Sequence, residues 1–305
     1  MNALPIGIFD SGLGGLTVMR SVADLLPDED IVYFGDTARC PYGPRPLAEV
    51  QRYVVEVASW LTRRDVKLMV IACNTGTAAA LPLAQRLFDV PVIGVVEPGA
   101  RAAVMATVNR KVGVVGTTGT VESGAYSRAV RALDAGVTVF SVATPKFVDV
   151  AEQGLRMGPG ALEEWLAEFS EVFVRPSFYG MARDYLDPLK RVGVDTLVLG
   201  CTHFPLLSAS IGQAIGPSVR LISSADETAR EVAETLAARG HLRGDALPRT
   251  LSFATTGDAT EFAALGSRVL RCPIECARHV PAESLAAEAR SYDPAAAAAE
   301  LVSCD

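Results

Sequence analysis

No stretch of the 305-residue chain holds the roughly 18–20 uninterrupted apolar residues that a helix needs to cross a bilayer, so a membrane-spanning protein is not expected. The start of the chain also lacks the apolar run of a signal peptide, because Pro5, Asp10 and a glycine cluster arrive where that run should lie. Export is therefore not expected. On that basis the six cysteines, at 40, 73, 201, 272, 276 and 304, read as reduced thiols in a cytoplasm, where a special one would be catalytic or metal-bound. Positive charge is also short: 28 Lys and Arg against 35 Asp and Glu give a net charge of −7, which argues against nucleic acid as a partner. Lysine is scarce within that total, with four residues at 67, 111, 146 and 190. None sits in the strand-end, glycine-rich setting that suits a pyridoxal phosphate Schiff base, so chemistry without a cofactor is expected.

What the chain has is the balance of a globular enzyme, half its residues apolar and about a fifth charged. Short apolar runs recur at 5–9, 31–34, 68–72, 92–96, 112–116, 137–142, 196–200, 219–222 and 251–254. They are apolar throughout rather than alternating, which predicts strands buried on both faces in parallel sheets covered by helices. The fold class is therefore α/β. Between the runs lie helical stretches such as 16–26, where Leu16, Met19, Ala23 and Leu26 recur at spacings of three and four.

Polar residues gather just past the predicted strand ends, where open α/β sheets bind ligands: Asp10-Ser11, Asp36-Thr37, Cys73-Asn74-Thr75, Glu97, Thr117-Thr118 and Cys201-Thr202-His203. The segments 68–83 and 196–207 resemble each other, each an apolar strand, a cysteine, a nearby threonine and a helix-like stretch with a proline. Two such half-sites facing each other would present one cysteine from each side of a cleft. A buried cysteine after a strand is most often an inert small hydrophobe. At a helix N-terminus its thiolate is stabilised, which predicts a thiol poised toward neutrality. His203, two residues past Cys201, could tune or protonate that thiol. Asp10 and Glu152 are the candidate carboxylate helpers, although Asp10 could equally serve as a helix cap.

Glycines at 12, 14 and 15 suit a turn exposing backbone N–H groups at a helix N-terminus, but no P-loop or convincing dinucleotide fingerprint follows. Cys272, Cys276 and His279 lack a clear fourth ligand, so no metal is expected there. In 156–190 an apolar stripe of Leu162, Leu166, Phe169 and Phe173, with Trp165 and Val172 beside it, reads either as an interface helix or, preferably, as cover for a core edge.

Taken together, GIFDSGLGGL (7–16), GDTARCPYG (35–43), ACNTGTAAALP (72–82), GVVGTTGTVESGAY (113–126) and LGCTHFPLL (199–207) resemble the motifs of glutamate racemases, in order over roughly residues 5–282. Aspartate racemases share the two-cysteine plan, but GIFDSGLGGL and the PYG segment point to the glutamate branch. The resemblance implies two similar domains with mainly parallel sheets and the site in the cleft between them. They are expected at 1–97 plus 208–282 and at 98–207, with a tail at 283–305. It implies that Cys73 and Cys201 exchange the α-proton on opposite faces of glutamate, Asp10 assisting Cys73, and Glu152 and His203 assisting Cys201. Asp10, Ser11, Tyr42, Gly43, Asn74, Thr75, Thr117, Thr120, Thr202 and His203 map onto substrate-binding positions. A cytoplasmic homodimer supplying D-glutamate for peptidoglycan is the implied setting. Against it stand a two-lobed amino-acid binding protein, which leaves the paired thiols unexplained, and a cysteine hydrolase. The hydrolase needs Cys201 and His203 to meet although only two residues apart, and it lacks an evident orienting partner.

Overall fold

The computed structural model describes residues 3–157, 162–166, 176–244 and 248–289, with the backbone alone at 176 and 177. Each of the nine apolar runs forms a strand: β1 Ile6–Asp10, β2 Ile31–Gly35, β3 Leu68–Ile71, β4 Val92–Gly94, β5 Lys111–Gly116, β6 Thr138–Ala143, β7 Thr196–Gly200, β8 Arg220–Ser223 and β9 Leu251–Thr255. A further strand, β10 Arg278–His279, is too short to carry any periodicity. The helices are α1 Leu16–Leu25, α2 Leu47–Thr62, α3 Asn74–Leu87, α4 Val96–Ala106, α5 Thr118–Glu122, α6 Ala125–Leu133, α7 Lys146–Arg156, α8 at 162–166, α9 Pro176–Val192, α10 Ser208–Ile215, α11 Ser224–Ala238, α12 Ala259–Leu270 and α13 Ala282–Ala289.

The strands form two sheets, ordered β10-β9-β2-β1-β3-β4 and β6-β5-β7-β8, and every pairing is parallel. Parallel pairing follows from the helical crossovers, and burial of every residue in β1, β3 and β7 explains why those runs show no alternation. In the first sheet β2 and β3 lie on opposite sides of β1, and in the second β6 and β7 lie on opposite sides of β5. Successive connections thus leave in opposite directions, which opens a crevice past the strand ends of β1 and β3 and of β5 and β7. The halves built on the two sheets are called here the first and second lobes.

The lobe boundaries differ from the expected ones. The division at 97/98 falls inside α4, and the division at 207/208 separates β7 from β8, its hydrogen-bonded neighbour. Segment 208–282 is shared: β8 completes the second sheet, whereas β9 and β10 return to the first. Helix α11 packs on both α1 and α4 and so ties the lobes together. Residues 283–289 are not a loose tail, since α13 lies on α2 with Leu285 fully buried. Residues 290–305, Cys304 among them, fall outside the described residues.

Trp165 settles the apolar stripe on its described part. It joins the core, its indole N–H donates to the Met157 carbonyl at 2.8 Å, and Arg268 lies over its ring. Phe169, Val172 and Phe173 lie outside the described residues.

Candidate active site

The ends of β1, β3, β5 and β7 converge on one cavity of about 20 Å³. Ser11, Tyr42, Gly43, Cys73, Asn74, Thr75, Thr117, Cys201, Thr202 and His203 line it, with Pro41 and Val148 completing the wall. Asp10 stands behind the cavity, reached through Thr202, and Thr120 stands behind Thr75 and Thr117. Glu152 reaches it through His203. The sequence-predicted residues are thus brought together from both lobes.

Cys73 caps α3, and its Sγ accepts the Gly76 N–H at 3.3 Å. Its own S–H points to Ser11 Oγ at 3.8 Å rather than to Asp10. The helix N-terminus does not bring this thiol toward neutrality. Burial and then the Asp10 carboxylate push it up to about 12, against the opposing pull of the Gly76 N–H and Ser11. Cys201 is close enough for its charge to bear on Cys73 as well. Asp10 is fully buried, takes the Gly12 N–H at 3.1 Å and the Thr202 hydroxyl at 3.2 Å, and is itself raised by burial, with the His203 charge opposing.

The Cys201 side is built differently. No α-helix begins beside this sulfur. A two-residue turn leads into a 3-10 turn at Phe204–Leu207, and α10 starts only at Ser208. Pro205 sits in the first turn of that 3-10 segment, where its missing N–H costs nothing. Instead of backbone N–H groups, the sulfur faces His203 Nδ1 at 3.8 Å, and His203 Nε2 meets Glu152 Oε1 at 2.7 Å. Burial works against a charged imidazole, but the bonds to Cys201 and Glu152 overcome it and hold His203 well above its ordinary range. Burial likewise opposes the Glu152 charge, yet His203 and Arg156 bring that carboxyl down to about 2. His203 and Glu152 therefore form a charged pair. Both geometric objections to a Cys201–His203 hydrolase are thereby removed, since the two side chains do meet and Glu152 orients the ring.

Around the sulfurs stand polar groups with fixed roles. Thr75, Thr117 and Thr120 form a triangle of hydroxyls 2.9–3.1 Å apart that joins α3 of the first lobe to α5 of the second. Tyr42 lines the cavity, but its hydroxyl is committed to Asp36. Asn74 accepts the Tyr126 hydroxyl on Oδ1 at 2.7 Å. Its Nδ2 is buried without a hydrogen-bond partner among the described residues, although Asn74 lines the cavity. Tyr126 ends the motif at 113–126, but sequence reasoning gives it no role, because it lies on α6, well past the strand end.

Away from the cavity, His279 Nδ1 donates to the Gly257 carbonyl at 2.8 Å, and Cys276 is exposed. Among the described residues no three His, Cys, Asp or Glu side chains cluster to hold a metal. None of the described helices is long and apolar enough to cross a membrane.

The profile of the Asp/Glu/Hydantoin racemase family matches residues 6–232. The chain belongs to this family. A glutamate racemase of Corynebacterium diphtheriae is 46% identical over 270 residues, which cover 88% of this chain and 95% of that one. Among solved structures, a glutamate racemase isoform from Bacillus anthracis is 40% identical, with a TM-score of 0.80 over 92% of this chain and 98% of its own. The glutamate racemase of Francisella tularensis, solved in complex with D-glutamate, is 29% identical with a TM-score of 0.81, covering 93% and 100%. The motif resemblance to glutamate racemases is borne out. Like its relatives in this racemase family, the chain is an isomerase acting on an amino acid.

Proposed function

We propose that the protein interconverts L- and D-glutamate without a cofactor, Cys73 and Cys201 acting as acid and base on opposite faces of the α-carbon. One observation carries the reading: thiols from two lobes line a single small cavity together with an unpartnered amide donor. A binding protein has no use for the paired thiols.

In the proposed step one thiolate takes the α-hydrogen, breaking the Cα–H bond and forming S–H, while the thiol opposite delivers its proton to the other face. The sulfurs end with their protonation states exchanged. As the groups stand, Cys73 is the protonated partner and the charged His203 faces Cys201, so the arrangement suits a proton taken by Cys201 and delivered by Cys73. Asp10 borders Cys73, and Glu152 acts on Cys201 through His203. The charge developing on the substrate needs a fixed donor, which the Asn74 Nδ2 supplies in a site shielded from water. A cavity of about 20 Å³ holds roughly one water, so the lobes must part to admit glutamate and close around it.

The homodimer, the cytoplasmic setting and the supply of D-glutamate to cell-wall precursors belong to the same proposal and rest on the resemblance. The rival with a specific observation behind it is the hydrolase, for which Glu152, His203 and Cys201 are in line. Incubation with L-glutamate in D₂O separates the two, since only a racemase places deuterium at the α-position while optical rotation decays to zero. Aspartate run in parallel tests the substrate. Cys73→Ser and Cys201→Ser should each lower racemisation by about 10²–10⁴-fold, the range of a lost acid or base. Full racemisation by either variant overturns the two-thiol assignment.

A further inference from the structure

Arg156 stands outside the cavity, yet its guanidinium joins carboxylates of both lobes. Nη1 donates to Glu152 Oε2 at 2.9 Å and to the Glu152 carbonyl at 3.2 Å. On its other edge, Nη2 lies 3.2 Å and Nε 3.3 Å from Glu261 Oε1. Glu152 and Arg156 belong to α7 in the second lobe, and Glu261 to the first turn of α12 in the first. Arg268, also of α12, donates to the carbonyls of Leu155 and Met157 at 2.5 and 3.0 Å, so the end of α7 is fastened to α12 twice.

These groups border an outer cavity of about 310 Å³ that shares Pro41 with the inner one. Glu152, Asp258 and Glu261 make its wall acidic, and Arg156 is the one cation among its lining residues. A continuous chain of contacts therefore runs Glu261, Arg156, Glu152, His203, Cys201, from the first lobe to a thiol of the second. With Oε1 on His203 and Oε2 on Arg156, both oxygens of Glu152 are committed, which leaves its side chain one orientation.

We propose that Arg156 is a positioning residue for the Cys201 half of the reaction, holding Glu152 against His203, with Glu261 reaching from the opposite lobe to keep Arg156 in that pose when the cleft is closed. The proposal rests on the two-thiol reading. A lysine could hold one carboxylate but lacks the planar fork that joins two.

The test compares Arg156→Gln, Arg156→Lys, Glu261→Gln and the double variant Arg156→Gln/Glu261→Gln, using L- and D-glutamate with hydrogen or deuterium at the α-carbon. The enantiomers have equal energy in water, so kcat/KM remains equal in the two directions for every variant. The informative signal is the primary isotope effect. Arg156→Gln should lower kcat by about 1.5- to 5-fold, the range of a partly exposed charge pair. It should raise the isotope effect for the one enantiomer whose α-hydrogen passes to Cys201. Arg156→Lys should recover part of kcat, and Glu261→Gln should cost less than Arg156→Gln and nothing further in the double variant. Unchanged kcat, or isotope effects that move equally for both enantiomers, would overturn the role. Failure of the two-thiol reading would show separately, as Cys201→Ser that racemises at full rate.

Discussion

At the scale of single residues the two thiols differ through the groups that hold them. Cys73 is buried beside Asp10 and held up at about 12, whereas Cys201 faces an imidazole charged through its carboxylate partner. The sign of each shift fixes where the His203–Glu152 pair exists. His203 is raised, so its contribution to stability is complete below its ordinary 6.5 and is lost as pH rises through the higher folded value. Glu152 is depressed, so its contribution is present above 4.5 and is lost as pH falls through about 2. The pair therefore fails on the acid side between 4.5 and about 2, and on the alkaline side as pH rises through the raised His203 value. Glu152→Gln leaves the burial of His203 opposed by Cys201 and the Asp10 charge alone. The ring titration followed by NMR should then move down from its raised position, and an unchanged midpoint would show that Glu152 does not hold the charge. The importance of Cys73 and Cys201 was legible in the chain because each follows an apolar run. The free Nδ2 of Asn74 was not, since it depends on Tyr126 occupying Oδ1 from another helix.

At the scale of elements, the two half-sites match as strand and cysteine and diverge at the next turn. Cys73 enters α3 directly, but after Cys201 the chain turns into a 3-10 segment, and an imidazole replaces the helix N-terminus. The glycine-rich turn before α1 serves close packing: a Cβ on Gly14 would lie 2.4 Å from Thr202 Oγ1 and 2.7 Å from His203 Nδ1. Thr17 of α1 reaches the same loop, its hydroxyl 3.2 Å from the Thr202 carbonyl. Gly14→Ala should therefore displace His203 from between Glu152 and Cys201. Displacements near 1 Å cost about 10²-fold in rate, so racemisation should fall on that order while far-UV circular dichroism stays native. Wild-type turnover in this variant would mean that the 201–203 loop can yield without harm. The spacing of the glycines marked a turn, but which side chains press on it emerges only when the loops after β1 and β7 meet.

At the scale of the whole molecule, the site exists only where two parallel sheets meet, and it is closed to a volume near that of one water. Glutamate bound between the lobes should stabilise both. At a concentration 100 times Kd the gain is about 2.7 kcal/mol, visible as a rise of a few degrees in Tm. Asn74→Asp exchanges the free donor for a carboxylate oxygen, and this variant should lose most of the shift. A full shift in Asn74→Asp would remove Asn74 from the substrate contacts. Arg156 and Glu261 work at this scale too, because each belongs to a different lobe and their pairing requires the lobes to be together.

The sequence by itself determined the α/β class, the nine apolar strands, the polar residues at their ends and the pair of cysteines among them. These are local properties: apolar runs reflect burial on both faces, and a motif is carried by neighbours in the chain. Only the tertiary structure decided that β8 completes the second sheet and α13 lies on α2. It also decided that Cys73 is a buried, protonated thiol and that Glu152 reaches Cys201 through His203. The physical reason is that desolvation and charge pairing depend on distances between residues 51 or more apart in the chain, which periodicity and spacing cannot encode.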